Sequence, residues 1–488
     1  MNATQEQLDA LFPTPSPPPT ALAPGRYPGC DYQSTKTLVE LLKDNHKRWH
    51  IFFNDRGFHN VTLRAAYEVQ VAMMKPAFDS PGSIDQSNWK NHLGDWDYYQ
   101  AYLRFFTSLI LSSSPNLVLE EYIMSKEANV VSGKDGKPPL MLSRFLAGFL
   151  HPLIHAGYGF EYGLPGLVAE GIAQAAIHAV EAEDLFSVDM FDAKPPASDG
   201  VVSRLASLTL TSQPQSMVPA ETHALTILAK VASDPDLSPS AVGIRPAGPS
   251  GWFGQYIKVA GPKIAEYASQ WTAEATEQEL AAKFEEITWA NTIIYAVGGW
   301  AGRKLGGDEK GAFDADFFLM HLVTSAAMIS SILGAAKPSS AALLLRTYFL
   351  FTLLVYVARG RPPLPIIDFY QETTARPSAP GSVPQSTEMA IGSVASPNPW
   401  LQIIQTTLVH PDEHLCKIQR ALAHSAVLYA GTPSGVFSRF ADHGLKGAEL
   451  LDDTLFVRAA GLTAGRLGWM REGERRRDWD RGGYYRLN

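Results

Sequence analysis

Cysteine is nearly missing from this chain: Cys30 and Cys416 are the only two among 488 residues. Two thiols exclude a disulfide framework and any zinc or iron–sulfur centre built on cysteine, and they suit a reducing, cytoplasmic setting. Extended basic runs are missing too. With 41 Lys and Arg against 49 Asp and Glu, the formal net charge is −8, so no concentrated cationic face is available for nucleic acid. The first 29 residues are polar and proline-rich, without the charged start and apolar stretch of a secretory signal. The most apolar run, residues 341–358, is interrupted by Arg346, Tyr348 and Tyr356. A membrane span prefers about 20 residues nearly free of charge, so a buried core helix is expected there and no membrane span. Strict apolar–polar alternation is scarce, which leaves room for a small sheet at most. Neither a Gly-x-Ser-x-Gly elbow nor a Walker phosphate loop occurs. The run Gly298-Gly299-Trp300-Ala301-Gly302 follows a helical pattern rather than a strand, so it does not fit a dinucleotide fingerprint. Flavin has no visible seat.

Helical periodicity dominates what remains. Residues 164–186 are alanine-rich, with apolar positions at helical spacing and no proline after Pro165. Thr276-x-x-Glu279 reads as a capping box ahead of an apolar stripe through Leu280, Phe284, Ile287 and Ile294. Residues 316–333, 339–358 and 412–430 show the same periodicity. An apolar content of 45% is ample for a large core. The expectation is an all-α protein: one large multi-helix domain over residues 30–488, its helices in layers, preceded by a disordered or extended arm over 1–29. Residues 233–254 and 376–399, rich in proline and serine, read as surface insertions. The charged tail, residues 472–486, reads as a solvated terminal segment.

Of thirteen histidines, most must be ordinary, and spacing separates the rest. His151-Pro152-Leu153-Ile154-His155 and His410-Pro411-Asp412-Glu413-His414 repeat one grammar. Each is expected to open a helix, because proline in the first helical position forfeits no hydrogen bond. The second histidine then projects from the first turn, with its partner four residues back near the same face. Lys417 follows His414 by three residues, again on that face. Imidazoles so spaced are how helical proteins hold a transition metal. His155 lies in an apolar setting, where an unpaired imidazole is costly; a core histidine bonded to a backbone carbonyl is the plain alternative. His151 is expected to cap its helix. His321 sits on a nearly all-apolar helix, where a lone histidine is more often a satisfied core residue; its weight comes from company. His59, beside a turn at Gly57, adds a fourth. His46, His50, His92, His178, His223, His424 and His443 lack a suitable helical partner and read as surface or core residues. Phe58, Tyr158 and Trp300 are candidates to line a flat pocket.

Taken together, His151-Pro-Leu-Ile-His155-Ala-Gly-Tyr-Gly-Phe-Glu161, Asp316-x-Phe-Leu-Met-His321-Leu-Val-Thr-Ser and His414-Leu-Cys-Lys417-Ile-Gln-Arg420 resemble the questin oxidase-like family of fungal polyketide pathways. So do Phe52-Phe53-Asn54-Asp55-x-Gly57-Phe58-His59-Asn60 and Asp453-Thr-Leu-Phe-Val-Arg458-Ala-Ala-Gly461. The resemblance runs in order from about residue 30 to the C-terminus. It implies an oxidoreductase that opens the central ring of an anthraquinone-like polyketide with O₂. In the iron-dependent branch it implies a mononuclear non-haem Fe(II) held by histidines and a carboxylated lysine. By position, that lysine is Lys417 and the histidines are His59, His155, His321 and His414, with His151 as alternate. Family members commonly continue the first motif as His-Asn-His, whereas this chain reads His59-Asn60-Val61. The family's other description is a flavin-free Baeyer–Villiger oxidase supported by NADPH. A non-catalytic helical binding protein, its histidines all core residues, is the reading outside enzymes.

Overall fold

The computed structural model describes residues 4–25, 31–52, 75–133, 136–180, 185, 190–191, 222–243, 252–303, 311–381 and 398–487. His59, Phe58, Cys30 and most of the 376–399 insertion lie outside the described residues. Among those described there is no strand, only two isolated bridges, Trp49 with Pro76 and Asp316 with Asp480. The expected all-α class is observed.

The principal helices in chain order are α1 (Gln5–Leu11), α2 (Tyr32–Arg48), α3 (Tyr99–Ser112), α4 (Met141–Tyr162) and α5 (Pro165–Ile177). Then come α6 (Ala224–Ser233), α7 (Trp252–Ser269), α8 (Glu277–Gly302), α9 (Leu319–Ala335) and α10 (Pro338–Ala358). The last four are α11 (Ile366–Glu372), α12 (Trp400–Val409), α13 (Glu413–Leu428) and α14 (Thr454–Leu467). Among the described residues only α10 is long and apolar enough to cross a membrane, and 94% of its apolar window is buried inside the protein, as a core helix requires.

The chain packs as two compact units. The first comprises Met1–Thr211, Ala273–Lys283 and Ala327–Tyr348; the second comprises Ser212–Thr272, Phe284–Ala326 and Phe349–Asn488.

In the first unit, the arm expected to be extended or disordered begins with a helix instead. Thr4 and Gln7 form a reciprocal capping box that satisfies two otherwise orphaned N–H groups. Leu8, Leu11 and Phe12 then bury against Leu42, Leu164 and Leu167, and that burial outweighs the polar composition around them. The centre of this unit is the pairing of α4 with α5. Gly171 lets α5 approach so closely that a Cβ there would stand 2.7 Å from the Ala156 nitrogen. Gly159 plays the same part from α4, against Val168. Helix α5 is shorter than its alanine-rich pattern suggests. His178 turns extended, and its carbonyl accepts from the Arg144 guanidinium rather than continuing the ladder.

In the second unit, α9 starts at a built-in cap: Asp316 Oδ1 accepts from the Phe318 and Leu319 N–H groups, both at 2.9 Å. The opposite side of that carboxylate is paired with the Arg359 guanidinium, Nη2 to Oδ2 2.5 Å. The tail keeps Arg475, Arg476, Asp478, Arg481 and Arg486 exposed, as expected, but its aromatics are folded in. Trp479 and Tyr484 are buried, Asp480 pairs with Arg466 at 2.8 Å, and the Tyr484 N–H donates to the Arg359 carbonyl. Most of its charged side chains are solvated as expected, while the aromatics between them find a core that composition alone did not show. Gly298, Gly299 and Gly302 lie within α8, where Gly299 and Gly302 allow close approach of Asp314 and Tyr484. They are packing glycines of a helix.

Candidate metal centre

The first unit holds two of the singled-out histidines, both on α4. That helix is broken at residues 147–150, where Gly148, Phe149 and Leu150 have φ of 56°, 55° and 69°. Left-handed backbone costs a non-glycine residue roughly 1–2 kcal/mol, so the break is imposed by its surroundings. Beyond it the helix restarts at His151-Pro152, as the motif predicts. His151 Nδ1 donates to the Gly148 carbonyl at 2.7 Å, so its proton lies on Nδ1 and its lone pair on Nε2. One turn later, His155 is held through its other nitrogen, with Nε2 2.7 Å from Glu170 Oε2.

Glu170 is the only acidic residue on α5 and is 2% exposed. Its second oxygen, Oε1, lies 2.6 Å from Nδ1 of His46 on α2. Burial by itself pushes this carboxyl up, but the hydrogen bonds from His155 and His46 outweigh it and hold the pKa at about 2. An ionised carboxylate only accepts, so both imidazoles donate to it: His46 from Nδ1 and His155 from Nε2.

The second unit holds the other pair. His321, on α9, is buried and donates from Nδ1 to the Phe317 carbonyl at 2.7 Å. His414, in the first turn of α13, has Nδ1 3.2 Å from Glu413 Oε1 and 3.6 Å from Asp412 Oδ1. The two rings stand 5.5 Å apart between centroids at 63°, and the Phe317 ring touches both. Engaging Nδ1 of each turns Nε2 into the lone-pair end, as in metal sites where a carbonyl or carboxylate fixes the outer nitrogen. Lys417 lies one turn along α13 and is buried at 6% exposure. Burial pushes its ammonium below the ordinary lysine range, against the opposing pull of Glu413 and Asp412. Among the described residues it makes no ion pair.

The second motif departs from expectation in one respect. Helix α13 begins after Asp412, which caps it through the His414 N–H at 3.0 Å, so Pro411 precedes the helix and His410 does not share a face with His414. His410 accepts the Asp412 N–H through Nδ1, and its Nε2 lies 3.3 Å from the Leu467 carbonyl. His50 and His223 likewise accept an N–H two residues ahead through Nδ1. These three accept through Nδ1, distinct in proton placement from His151 and His321, which donate from Nδ1. Tyr158 packs with the Leu8 cluster of the first unit, and Trp300 stands edge-on to Phe369 in the second.

The donor set fits a divalent metal of borderline softness: neutral imidazoles with one nitrogen fixed and a desolvated amine. Spacing analysis missed His46, Glu170 and Asp412. The available signal was Glu170 itself, a single carboxylate in a run of Gly, Leu, Val, Ala and Ile. A buried charge in such a run needs a partner.

The family model for questin oxidase-like proteins matches residues 56–422. Oxidoreductase AflY of Aspergillus parasiticus is 24% identical over 415 residues, spanning 80% of this chain and 72% of that protein. Baeyer–Villiger oxidase ptaJ of Pestalotiopsis fici is 24% identical over 449 residues, spanning 86% and 88%. A questin oxidase of Aspergillus terreus is 24% identical over 181 residues, 33% of this chain and 39% of that one. An all-helical fold with such relatives defines an oxidoreductase of the kind found in fungal secondary metabolism. The chain belongs to the questin oxidase-like family.

Proposed function

We propose that this oxidoreductase uses O₂ to open the central ring of an anthraquinone-like aromatic polyketide, with Fe(II) held by histidines and a carboxylated Lys417. The observation that carries the reading is the His321–His414 pair, rings 5.5 Å apart, with a buried lysine one turn beyond. Bound Fe(II) would supply a way around the spin barrier between O₂ and an electron-rich phenol or hydroquinone ring.

The chain's own residues prepare for that. Phe317 and the Asp412–Glu413 pair hold the outer nitrogens of His321 and His414, so neither ring needs to reorient to ligate. Burial keeps the Lys417 amine deprotonated more readily than an exposed lysine. A neutral amine adds CO₂: the N–C bond forms, one proton leaves the nitrogen, and the resulting carbamate presents an anionic oxygen. That charge offsets part of a buried dication's desolvation. The resemblance adds His59, His155 and the alternate His151 to the ligand set. Two cysteines in 488 residues support a cytoplasmic setting for the chemistry.

The names of relatives such as ptaJ favour a second reading, a Baeyer–Villiger oxidation, for which the resemblance implies NADPH support. Turnover under ¹⁸O₂ separates the two. A dioxygenase delivers both labelled atoms to the ring-opened product, whereas Baeyer–Villiger insertion delivers one and lactone hydrolysis takes the other from water. Two labelled atoms are expected, together with about one iron per chain in anaerobically prepared protein. One labelled atom and no iron requirement would overturn the iron reading.

A further inference from the structure

Trp479, Asp480 and Arg481 lie beyond the family match, which ends at residue 422, yet they reach the partners of both His321 and His414. The Trp479 indole N–H donates to Asp412 Oδ1 at 3.1 Å. That same oxygen accepts the His414 N–H at 3.0 Å and so fixes the first turn of α13. On the other side, the Phe317 N–H donates to the Asp480 carbonyl at 2.8 Å, and the Asp480 N–H donates to the Ala315 carbonyl at 3.0 Å. Phe317 is the residue whose carbonyl takes His321 Nδ1. The Arg481 guanidinium stands 4.6 Å from the centroid of its ring. All of these groups belong to the second unit.

Core packing alone does not account for Trp479. It is buried, and a phenylalanine would fill much of the same space without a polar atom in need of a partner. What the indole adds is one donor aimed at a buried carboxylate. Arg476, 3.4 Å from Asp412 Oδ2, is 47% exposed, and a pair so open to water contributes little. The segment is itself pinned, because Asp480 accepts from Arg466 on α14 and from the Ala315 N–H, each at 2.8 Å. We infer that this C-terminal segment is a brace that positions His321 and His414 together, through the Phe317 peptide and through Asp412. Trp479 acts on His414 by way of Asp412 and is a positioning residue. Outer partners of this kind orient metal-binding imidazoles. The metal side of the inference rests on the iron reading above, and the brace rests on contacts inside the second unit.

The test is made on the full chain in two states. In the metal-free protein, ¹⁵N-histidine NMR reads the tautomers of His321 and His414. Anaerobic Fe(II) titration, with visible spectra of the Co(II)-loaded protein, then reads affinity and ligand geometry. Trp479→Phe keeps a ring and removes the donor. Asp480→Ala releases the segment from Arg466 and from the Ala315 N–H, and Arg475→Ala alters an exposed tail charge outside the brace. Loss of an outer partner costs about 10–100-fold in metal affinity, and the lower end, about tenfold, is expected for Trp479→Phe with helix content unchanged. The His414 resonances should move in Trp479→Phe and those of His321 in Asp480→Ala, with the Co(II) bands shifted in both. Arg475→Ala is expected to match the wild type in every readout.

Unchanged histidine resonances or an unchanged Fe(II) affinity in Trp479→Phe, even with a lower urea midpoint, would overturn the brace, because a purely structural indole moves stability alone. A wild type that takes up no Fe(II) would overturn the iron reading itself, and the metal-free resonances then still decide the brace. Should Trp479→Phe fail to fold, the indole N–H resonance of Trp479 in the wild type decides. A shift on saturation with Zn(II) is expected; a resonance that stays in place would overturn the inference.

Discussion

His321 and His414 reach each other from two different helices, α9 and α13, with their ring centroids 5.5 Å apart and their outer nitrogens already engaged. A pair held this way is preorganised, so removal of either ring should cost metal rather than fold. His321→Ala and His414→Ala are each expected to retain less than about one tenth of the wild-type iron, since a lost ligand is at least as damaging as a lost outer partner. Iron analysis on desalted protein, beside circular dichroism, checks this.

Lys417→Arg is expected to abolish turnover, because a guanidinium stays charged and forms no stable carbamate. Lys417→Ala with millimolar acetate or formate should regain part of the bound iron, since a small carboxylate can replace the anionic oxygen. Wild-type turnover by the arginine variant would remove the modified lysine from the account.

Asp316 and Arg359 form a buried pair, 0% and 2% exposed, that ties the start of α9 to the end of α10. Asp316→Asn leaves the guanidinium without its counter-charge and should lower stability by about 3–5 kcal/mol. Replacing both residues by apolar ones of similar volume should cost much less. Urea denaturation of the single and double variants gives both numbers.

Gly171→Ala would place a methyl 2.7 Å from the Ala156 nitrogen and 2.9 Å from the Pro152 carbonyl. Overpacking of this kind costs about 1–3 kcal/mol. The same close approach carries Glu170 to His155, so the melting temperature is expected to fall, and thermal denaturation of the variant checks it.

Acid sensitivity should come partly from His178. Burial, then the Arg144 charge, pushes its imidazole from 6.5 down to about 3. The unfolded chain therefore takes up this proton first, so the contribution is fully present above pH 6.5 and is lost as the pH falls toward 3. The slope is at most about 1.4 kcal/mol per pH unit. Glu170, held at about 2 against an ordinary 4.5, begins to lose its own contribution only below 4.5. Between pH 4.5 and 6.5 the His178→Gln variant should show a flatter stability profile by up to one proton. His50 and His410, also pushed down by burial, keep the remaining slope. Denaturation midpoints over that range provide the test.

Helical periodicity, proline at a helix start and the histidine spacings are local properties, and they were legible in the sequence: the all-α class, the restart of α4 at His151-Pro152, the burial of α10, and His414 with Lys417 one turn apart on α13. The family motifs were legible for the same reason, since each is a short contiguous string. Tertiary structure decided the rest. Whether His410 caps a helix or shares a face with His414 depended on where Asp412 started the next helix. Whether the aromatics of the charged tail find a core depended on Arg466 and Arg359 being there to anchor it. That Glu170 should stand between His46 and His155 depended on glycines that let α4 and α5 touch. Period and propensity act within a few residues along the chain, whereas a buried charge and a ring tautomer are set by whichever groups the completed packing brings within hydrogen-bond reach.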